Sequence, residues 1–248
     1  MPQREPIFNA PGIVLLLVAL FVAVHGLRIF LPVEQSDELT VALAFIPARF
    51  GPLAPQVPGG PWAAYTSLGT HVVVHGDLTH LLVNSGWLLA FGTPVARRLD
   101  IVRFLLFFLV CGVAGALFYL VINPDAQTLL IGASGAISGL MGGAFRFLFA
   151  AIRDGDSGAL SGEDRRAPLM SLFATLLDRR ALTAIALWTA LNFVLAWGAA
   201  GITEAAGIAW EAHLGGFYAG LLLFGLFDRG PPPLPVKDER RDDAAPAG

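Results

Sequence analysis

Residues 102–122 read VRFLLFFLVCGVAGALFYLVI, a run of 21 residues in which Arg103 is the single charged side chain. A helix needs about 20 mainly apolar residues to cross a bilayer, so this run predicts a membrane span. The whole chain has the same character, since 55% of its 248 residues are hydrophobic and only 14% are charged. Soluble globular domains carry roughly 25% charged residues. The sequence therefore predicts an all-α, polytopic membrane protein.

Six segments in all have the length and composition of spanning helices. They are residues 12–31, 78–96, 102–122, 133–152, 181–200 and 210–228. The first is longer than the apolar core of a typical signal peptide, so we expect the chain to keep it as a span. The sequence predicts a six-helix membrane domain over 11–228, with a cytoplasmic N-terminal tail at 1–10 and a disordered cytoplasmic tail at 229–248.

Positive charges divide unevenly between the two sides of these spans. The predicted outer loops contain Arg49 alone, whereas the inner loops and both tails are rich in Arg. Because Lys and Arg concentrate in cytoplasmic loops, both termini are expected in the cytoplasm, and spans two, four and six run inward from the outer surface. Arg28, near the outer end of span one, is expected to snorkel.

The net charge argues against a nucleic-acid partner, and the cysteine content excludes an internal disulfide. The net charge is −3, and no basic stripe stands clear of the membrane flanks, which argues against a nucleic-acid partner. The single cysteine, Cys111, cannot form a disulfide within the chain.

Three polar clusters lie near the outer starts of spans two, four and six. Their sequences are His75-Gly-Asp-Leu-Thr-His80-Leu-Leu-Val-Asn84, Gly132-Ala-Ser134-Gly135 and Ala212-His213-Leu-Gly-Gly216-Phe-Tyr-Ala-Gly220. Because the three spans run in the same direction, the clusters are expected at a similar depth, where they can meet. Ionisable groups inside a bilayer are costly and usually functional.

The residue types in these clusters suit peptide-bond hydrolysis. A serine hydroxyl such as that of Ser134 needs a neighbouring base, and His213 can supply one. The developing oxyanion needs hydrogen-bond donors, which His80, Asn84 and the Ser134 N–H could provide. We expect no Asp or Glu inside a span at this depth, so the pattern predicts a Ser–His dyad without a third member.

Small residues predict that the helices carrying these groups approach closely. Ser134, Ser138 and Gly142 fall on one face of span four, and Gly216 and Gly220 form a GxxxG face on span six. Small faces allow close helix packing in lipid.

Taken together, the three clusters resemble the motifs of the rhomboid family of intramembrane serine proteases. The family pattern HxxxxHxxxN matches His75, His80 and Asn84, GxSG matches Gly132, Ser134 and Gly135, and AHxxGxxxG matches Ala212, His213, Gly216 and Gly220. The resemblance implies that Ser134 is the nucleophile and His213 the base, that His80, Asn84 and the Ser134 N–H hold the oxyanion, and that His75 supports them. It also implies a six-helix core with a water-filled cavity open outward, transmembrane protein substrates cut near small residues, and no metal or cofactor.

Two positions depart from the family's usual pattern. Many relatives carry an aromatic residue four positions after the serine, stacked on the catalytic histidine, and this chain has Ser138 there. Either the base is held less rigidly or the Ser138 hydroxyl helps to orient it. The first outer loop often carries Trp-Arg, whereas here Trp62 is followed by Ala63, which leaves the anchoring of that loop open.

Three other interpretations are weighed against a protease. The polar residues could serve packing alone, the chain could be a catalytically inactive rhomboid-like factor that binds membrane proteins, or it could be a transporter or channel. Inactive relatives usually lack the serine or the histidine, and transporters tend to show inverted repeats, neither of which fits this sequence. We expect a multi-pass protein of a bacterial inner membrane, with its substrate and oligomeric state left open.

Overall fold

The computed structural model describes residues 10–153, 169–199 and 209–229. Within these ranges the chain is helical, with one isolated backbone bridge between Phe45 and Leu130 and no β-strand. The predicted all-α class is therefore confirmed for the described part of the chain. The predicted tails at 1–10 and 229–248 lie, except for their innermost residues, outside the described ranges and stay predictions.

Ten α-helices occur in the described ranges and are numbered here in chain order. They are α1 (Gly12–Phe30), α2 (Val33–Leu43), α3 (Gly60–Thr70), α4 (Leu78–Trp87), α5 (Thr93–Arg98), α6 (Ile101–Ile122), α7 (Ser134–Arg153), α8 (Leu172–Leu177), α9 (Arg179–Ala199) and α10 (Trp210–Phe227). Shorter 3₁₀ turns lie at Pro47–Phe50, Ala54–Gln56 and His71–Val73.

Three of the described helices are long and apolar enough to cross a membrane. They are α1, α6 and residues Ser134–Ile152 of α7. The polar side chains of Glu211 and His213 lower the hydropathy of α10. Each predicted span has helical structure in its described part, but the count of six membrane crossings stays a prediction.

The second predicted span, 78–96, is not one continuous α-helix, and the expectation of a single helix there is corrected. A π-turn at Leu88–Gly92 separates α4 from α5. Pro94 lies in the first turn of α5 and has no N–H to bond the carbonyl oxygen four residues earlier. The regular α-helical hydrogen-bond pattern is therefore interrupted at this point.

Direct backbone contact joins α7 to α10, and α10 packs most extensively on α7 and α6. A Cβ atom added at Gly216 would overlap the carbonyl group of Gly135, and one added at Gly220 would overlap the carbonyl group of Gly139. No side chain larger than hydrogen fits at these two positions of α10. The glycines of the predicted GxxxG face therefore lie at the tightest part of the helix contact.

The face that α7 presents to α10 differs from the predicted one. The prediction placed Ser134, Ser138 and Gly142 in line, but Gly139, which it did not include, also contacts α10. Gly142 does lie at the interface, since a Cβ atom there would overlap the carbonyl oxygen of Phe217. The contact face of α7 is thus made of glycines and is offset by one residue from the serines.

Contacts at the helix ends define the directions of the helices. At the start of α10, Glu211 accepts a hydrogen bond of 2.9 Å from Asn123, which follows the end of α6. After the end of α10, Asp228 forms an ion pair of 2.8 Å with Arg98 at the end of α5. Helix α10 therefore runs opposite to α6 and in the same direction as the α4–α5 segment.

Aromatic packing closes the half of the helix bundle away from the polar clusters. Phe107 of α6 packs edge-on against Phe224 of α10, with ring centroids 5.3 Å apart. Phe147 of α7 stacks on Phe224 at 5.6 Å. Ser134, His213, His80 and Asn84 lie at the opposite end, where α4, α7 and α10 begin.

Candidate active site

Ser134 and His213 lie in direct contact at the starts of α7 and α10. The Ser134 Oγ and the His213 Nε2 are 2.8 Å apart, a good hydrogen-bond distance. Ser134 is the first residue of α7 and His213 the fourth of α10, and both side chains are half-buried. A serine hydroxyl bonded to an imidazole nitrogen is the arrangement that nucleophilic catalysis requires.

The turn before α7 sets the position of Ser134. Gly132 has a φ of +106°, a left-handed conformation that favours glycine. Its N–H donates a 2.9 Å hydrogen bond to the carbonyl oxygen of His71. His71 lies in the 3₁₀ turn before α4. The backbone of the turn before α4 therefore holds the loop that positions the serine.

The second ring nitrogen of His213 meets a residue that the sequence analysis missed. The His213 Nδ1 lies 2.9 Å from the Oδ1 of Asn192 on α9, and Asn192 is only 1% exposed. Trp188, one turn earlier on α9, has its ring centroid 6.4 Å from that of His213. The sequence did carry a signal, because an asparagine inside an apolar span is a costly polar group. Asn192 lies outside the three polar clusters of the sequence, so the predicted dyad did not include it.

The expectation of no carboxylate within the spans at this depth is wrong. Glu211 is buried and lies two residues before His213, inside the predicted span 210–228. Its Oε1 accepts a hydrogen bond from Asn123. The hydrogen bonds of the His213 ring go instead to Ser134 and Asn192.

His80 and Asn84 converge on the space beside Gly132, two residues before Ser134. A Cβ atom added at Gly132 would lie 2.5 Å from the His80 Nε2 and 3.8 Å from the Asn84 Nδ2. Both side chains lie on α4, one turn apart, and Asp77 caps this helix by accepting the His80 N–H at 2.8 Å. Because residue 132 is a glycine, an open space remains beside it, and the side chains of His80 and Asn84 line this space.

Hydrogen-bond partners indicate which atoms of these two residues can donate. The His80 Nδ1 accepts a bond of 3.4 Å from the Gly76 N–H, which leaves the proton on Nε2, the atom facing Gly132. The Asn84 Nδ2 gives one hydrogen to the His80 carbonyl oxygen at 3.0 Å. An amide nitrogen has two hydrogens, so a second remains for a ligand.

His75 packs behind His80. The two rings meet edge to face at 5.1 Å, and Phe21 lies on another side at 5.0 Å. Burial, together with the neighbouring His80, lowers the pKa of His75 to about 4, so this ring is neutral at pH 7. Arg28, which was expected to snorkel, donates to the His75 carbonyl oxygen.

Within the described ranges, no group of three His, Cys, Asp or Glu side chains is placed to hold a metal ion.

The segment between α1 and α4, predicted to be the first outer loop, is held by an arginine at a different place from the one the resemblance implies. Ala63 stands where relatives carry Arg, but Arg49 is buried beneath the loop and 6% exposed. Its guanidinium donates to the carbonyl oxygens of Val41, Ala44 and Pro58 at 2.6–3.0 Å. A guanidinium has five donors, which suits it to gathering several carbonyl oxygens at one point.

Comparison with known proteins gives two findings. The family model described as Rhomboid domain matches residues 62–229, which is more than half of the chain. The chain is also similar to the rhomboid protease GluP of Bacillus subtilis (strain 168), with 34% identity over 124 residues. That match covers 50% of this chain and 23% of the relative, so the chain spans less than a quarter of that protein.

Proposed function

Since this chain belongs to the rhomboid family and is an integral membrane protein, we propose that it is a serine endopeptidase that cleaves membrane proteins in or near their transmembrane segments. The observation that carries the proposal is the 2.8 Å contact between the Ser134 Oγ and the His213 Nε2. The two residues come from different helices and meet among half-buried polar groups. A packing role for Ser134 would not need an imidazole as its partner.

The proposed reaction uses the contacts around Ser134. His213 accepts the hydroxyl proton at Nε2 while the Ser134 Oγ attacks the carbonyl carbon of the scissile bond. The resulting oxyanion accepts hydrogen bonds from the His80 Nε2–H, the Asn84 amide and the Ser134 N–H, which has no partner within its own helix because it opens α7. His213 then gives its proton to the leaving amine, and water attacks the acyl-enzyme by the reverse proton path.

Covalent labelling tests this proposal directly. A fluorophosphonate probe should label the purified, folded protein at Ser134, and Ser134→Ala should not be labelled. Ser36→Ala, which removes a serine from α2, is the matched control and should keep the label. Failure of the folded protein to react would support the alternative of an inactive rhomboid-like protein that binds membrane proteins. A label that persists in Ser134→Ala would place the nucleophile elsewhere.

Loss of one oxyanion donor is expected to slow catalysis without unfolding the protein. Asn84→Ala should lower kcat by roughly 10- to 1000-fold, because one preorganised donor contributes about that much to stabilising the transition state. The measurement is steady-state cleavage of a transmembrane substrate in detergent, with the melting temperature as control. Unchanged turnover in a normally folded variant would remove Asn84 from the oxyanion site.

We propose that the domain crosses a bacterial inner membrane six times, with both termini in the cytoplasm. The asymmetry of Arg supports this orientation. The contact between Ser134 and His213 at the starts of α7 and α10 supports a common direction for these two helices. Topology reporters fused after Pro124 and after Gly248 should report opposite sides of the membrane, the second of them cytoplasmic. A C-terminal reporter outside the cytoplasm would reverse the orientation and place the Ser134 site at the inner face.

A further inference from the structure

We propose that Asn192 is a positioning residue that fixes the tautomer and orientation of His213, and so completes a Ser134–His213–Asn192 relay. The inference rests on the proposed function, since it assigns a role within the same site. Asn192 does not contact the Ser134 Oγ; it acts through the imidazole that accepts the serine proton.

The orientation of the Asn192 amide follows from its second partner. The Asn192 Nδ2 lies 2.9 Å from the carbonyl oxygen of Trp188. A carbonyl oxygen can only accept, so the amide nitrogen must be the atom that faces it. The amide oxygen is then the atom that faces His213, at 2.9 Å.

That orientation determines where the imidazole proton lies. The Asn192 Oδ1 cannot donate, so the hydrogen bond forms only when the His213 Nδ1 carries the hydrogen. A neutral imidazole has one N–H, which leaves a lone pair on Nε2. This lone pair faces the Ser134 Oγ at 2.8 Å. Asn192 therefore selects the tautomer that can accept the serine proton.

Burial makes this contact demanding. Asn192 is 1% exposed on an otherwise largely apolar helix. A buried amide without hydrogen-bond partners is costly, so both ends of the side chain need a hydrogen bond. The Nδ2 is satisfied within α9, and the Oδ1 depends on His213. The asparagine and the histidine thus fix each other's positions.

The same face of α9 supplies a second contact to the ring. Trp188 precedes Asn192 by one helical turn and lies beside the imidazole, with centroids 6.4 Å apart. Ser138 on α7 offers no aromatic surface. Helix α9 therefore constrains His213 from the side away from Ser134, both by a hydrogen bond and by a ring contact.

The acid limb of the pH–rate profile reports on the contact between Asn192 and His213, because it depends on the protonation of His213. The wild-type rate should fall at acid pH, because a protonated His213 cannot accept the Ser134 proton. Among the described residues, the other titratable groups around the imidazole are His80, which is close enough to interact electrostatically, and Glu211 on α10 itself, which is bonded to Asn123. Neither is altered by a change at position 192.

Two substitutions separate positioning from packing. Asn192→Leu removes the acceptor from an apolar helix, and kcat should fall on the order of 100-fold with little change in KM, as expected when a catalytic group is displaced by about 1 Å. Asn192→Asp restores the acceptor that faces His213 but loses the donor to the Trp188 carbonyl oxygen, so activity near neutral pH should recover in part relative to Asn192→Leu. A carboxylate at that position also favours the protonated imidazole, so the acid limb should move to higher pH.

The matched control is Thr189→Val, which removes a different side-chain contact between α9 and α10. The Thr189 hydroxyl lies 2.8 Å from the Tyr218 hydroxyl and has no role at His213. This variant should keep the wild-type acid limb. Any change that it shares with Asn192→Leu reports on helix packing alone.

Failure of the proposed role of Asn192 and failure of the proposed protease function give different experimental results. If Ser134→Ala abolishes cleavage while Asn192→Leu keeps the wild-type kcat and profile, the protease assignment stands and the role of Asn192 is refuted. If Asn192→Leu is slow but the acid limb of Asn192→Asp matches the wild type, Asn192 serves packing and the inference also fails. Cleavage by a folded Ser134→Ala variant would overturn the proposed function itself.

Discussion

Ser134→Ala, His213→Ala and the double variant are all expected to lose cleavage to a similar extent, on the order of 10⁶-fold in kcat. The reason is the 2.8 Å contact between the two side chains, which makes nucleophile and base a single unit. Once either is removed, the other has no partner through which to act. The double variant should therefore be no slower than the slower single variant. Steady-state cleavage of a transmembrane substrate in detergent or liposomes gives the three values.

The melting temperature of each variant must be measured beside its activity, because loss of folding would give the same loss of cleavage. Both side chains are half-buried at helix starts, so their truncation should leave the helix contacts below them in place. Additive losses in the double variant would show that Ser134 and His213 act independently. Wild-type cleavage by a folded Ser134→Ala variant would refute the assignment of a protease site.

The second large effect is expected at Gly220, where one methyl group should separate two helices. A Cβ atom there would overlap the carbonyl group of Gly139 and lie 2.7 Å from its Cα. Backbone atoms cannot rotate away as a side chain could, so Gly220→Ala should lower the free energy of unfolding by about 3 kcal/mol or more. Any remaining folded protein should be slow, since α7 and α10 carry Ser134 and His213. Thermal or denaturant unfolding in a fixed detergent measures the first effect.

Gly86→Ala is the matched control for this substitution. A Cβ atom at Gly86 meets nothing within 4 Å, and the residue is exposed on α4. Replacing an exposed helical glycine by alanine should stabilise the protein by up to about 1 kcal/mol. Equal stability of Gly220→Ala and the wild type would mean that α7 and α10 do not touch through their backbones.

The sequence was informative where a property depends on periodicity or on local rules. Apolar runs located the long helices, because the width of a bilayer fixes the length of a span. The capping role of Asp77 obeys a local rule of the same kind, since Asp is a preferred residue at the N-cap of a helix. The polar clusters were brought together correctly by topology, since the direction of each helix decides which ends can meet, and Ser134 and His213 are indeed in contact.

Contacts between segments far apart in the chain could not be predicted from periodicity or local sequence rules. Asn192 on α9 contacts His213 on α10. No local sequence pattern specifies how these two helices are rotated relative to each other. Arg49 looked like an isolated outer charge, and only the folded loop shows that it gathers three backbone carbonyl groups. Glu211 opens its predicted span, and no local pattern shows that it is buried against Asn123. The offset of the α7 contact face has the same origin, because serines and glycines alternate along α7 and no local pattern shows which of them meet α10.

The π-turn at Leu88–Gly92 makes the length of that segment part of the active site. A π-turn holds one more residue than an α-helical turn, and each residue of an α-helix rotates the chain by about 100°. Deleting a single residue there would let the turn close into a regular α-helix. Because α5 is tied to α10 by the ion pair between Arg98 and Asp228, the rotation would fall on α4 and carry His80 and Asn84 away from Gly132. The rotational register of this helix is therefore set by a residue count, and it could be lost with every polar side chain of the site unchanged.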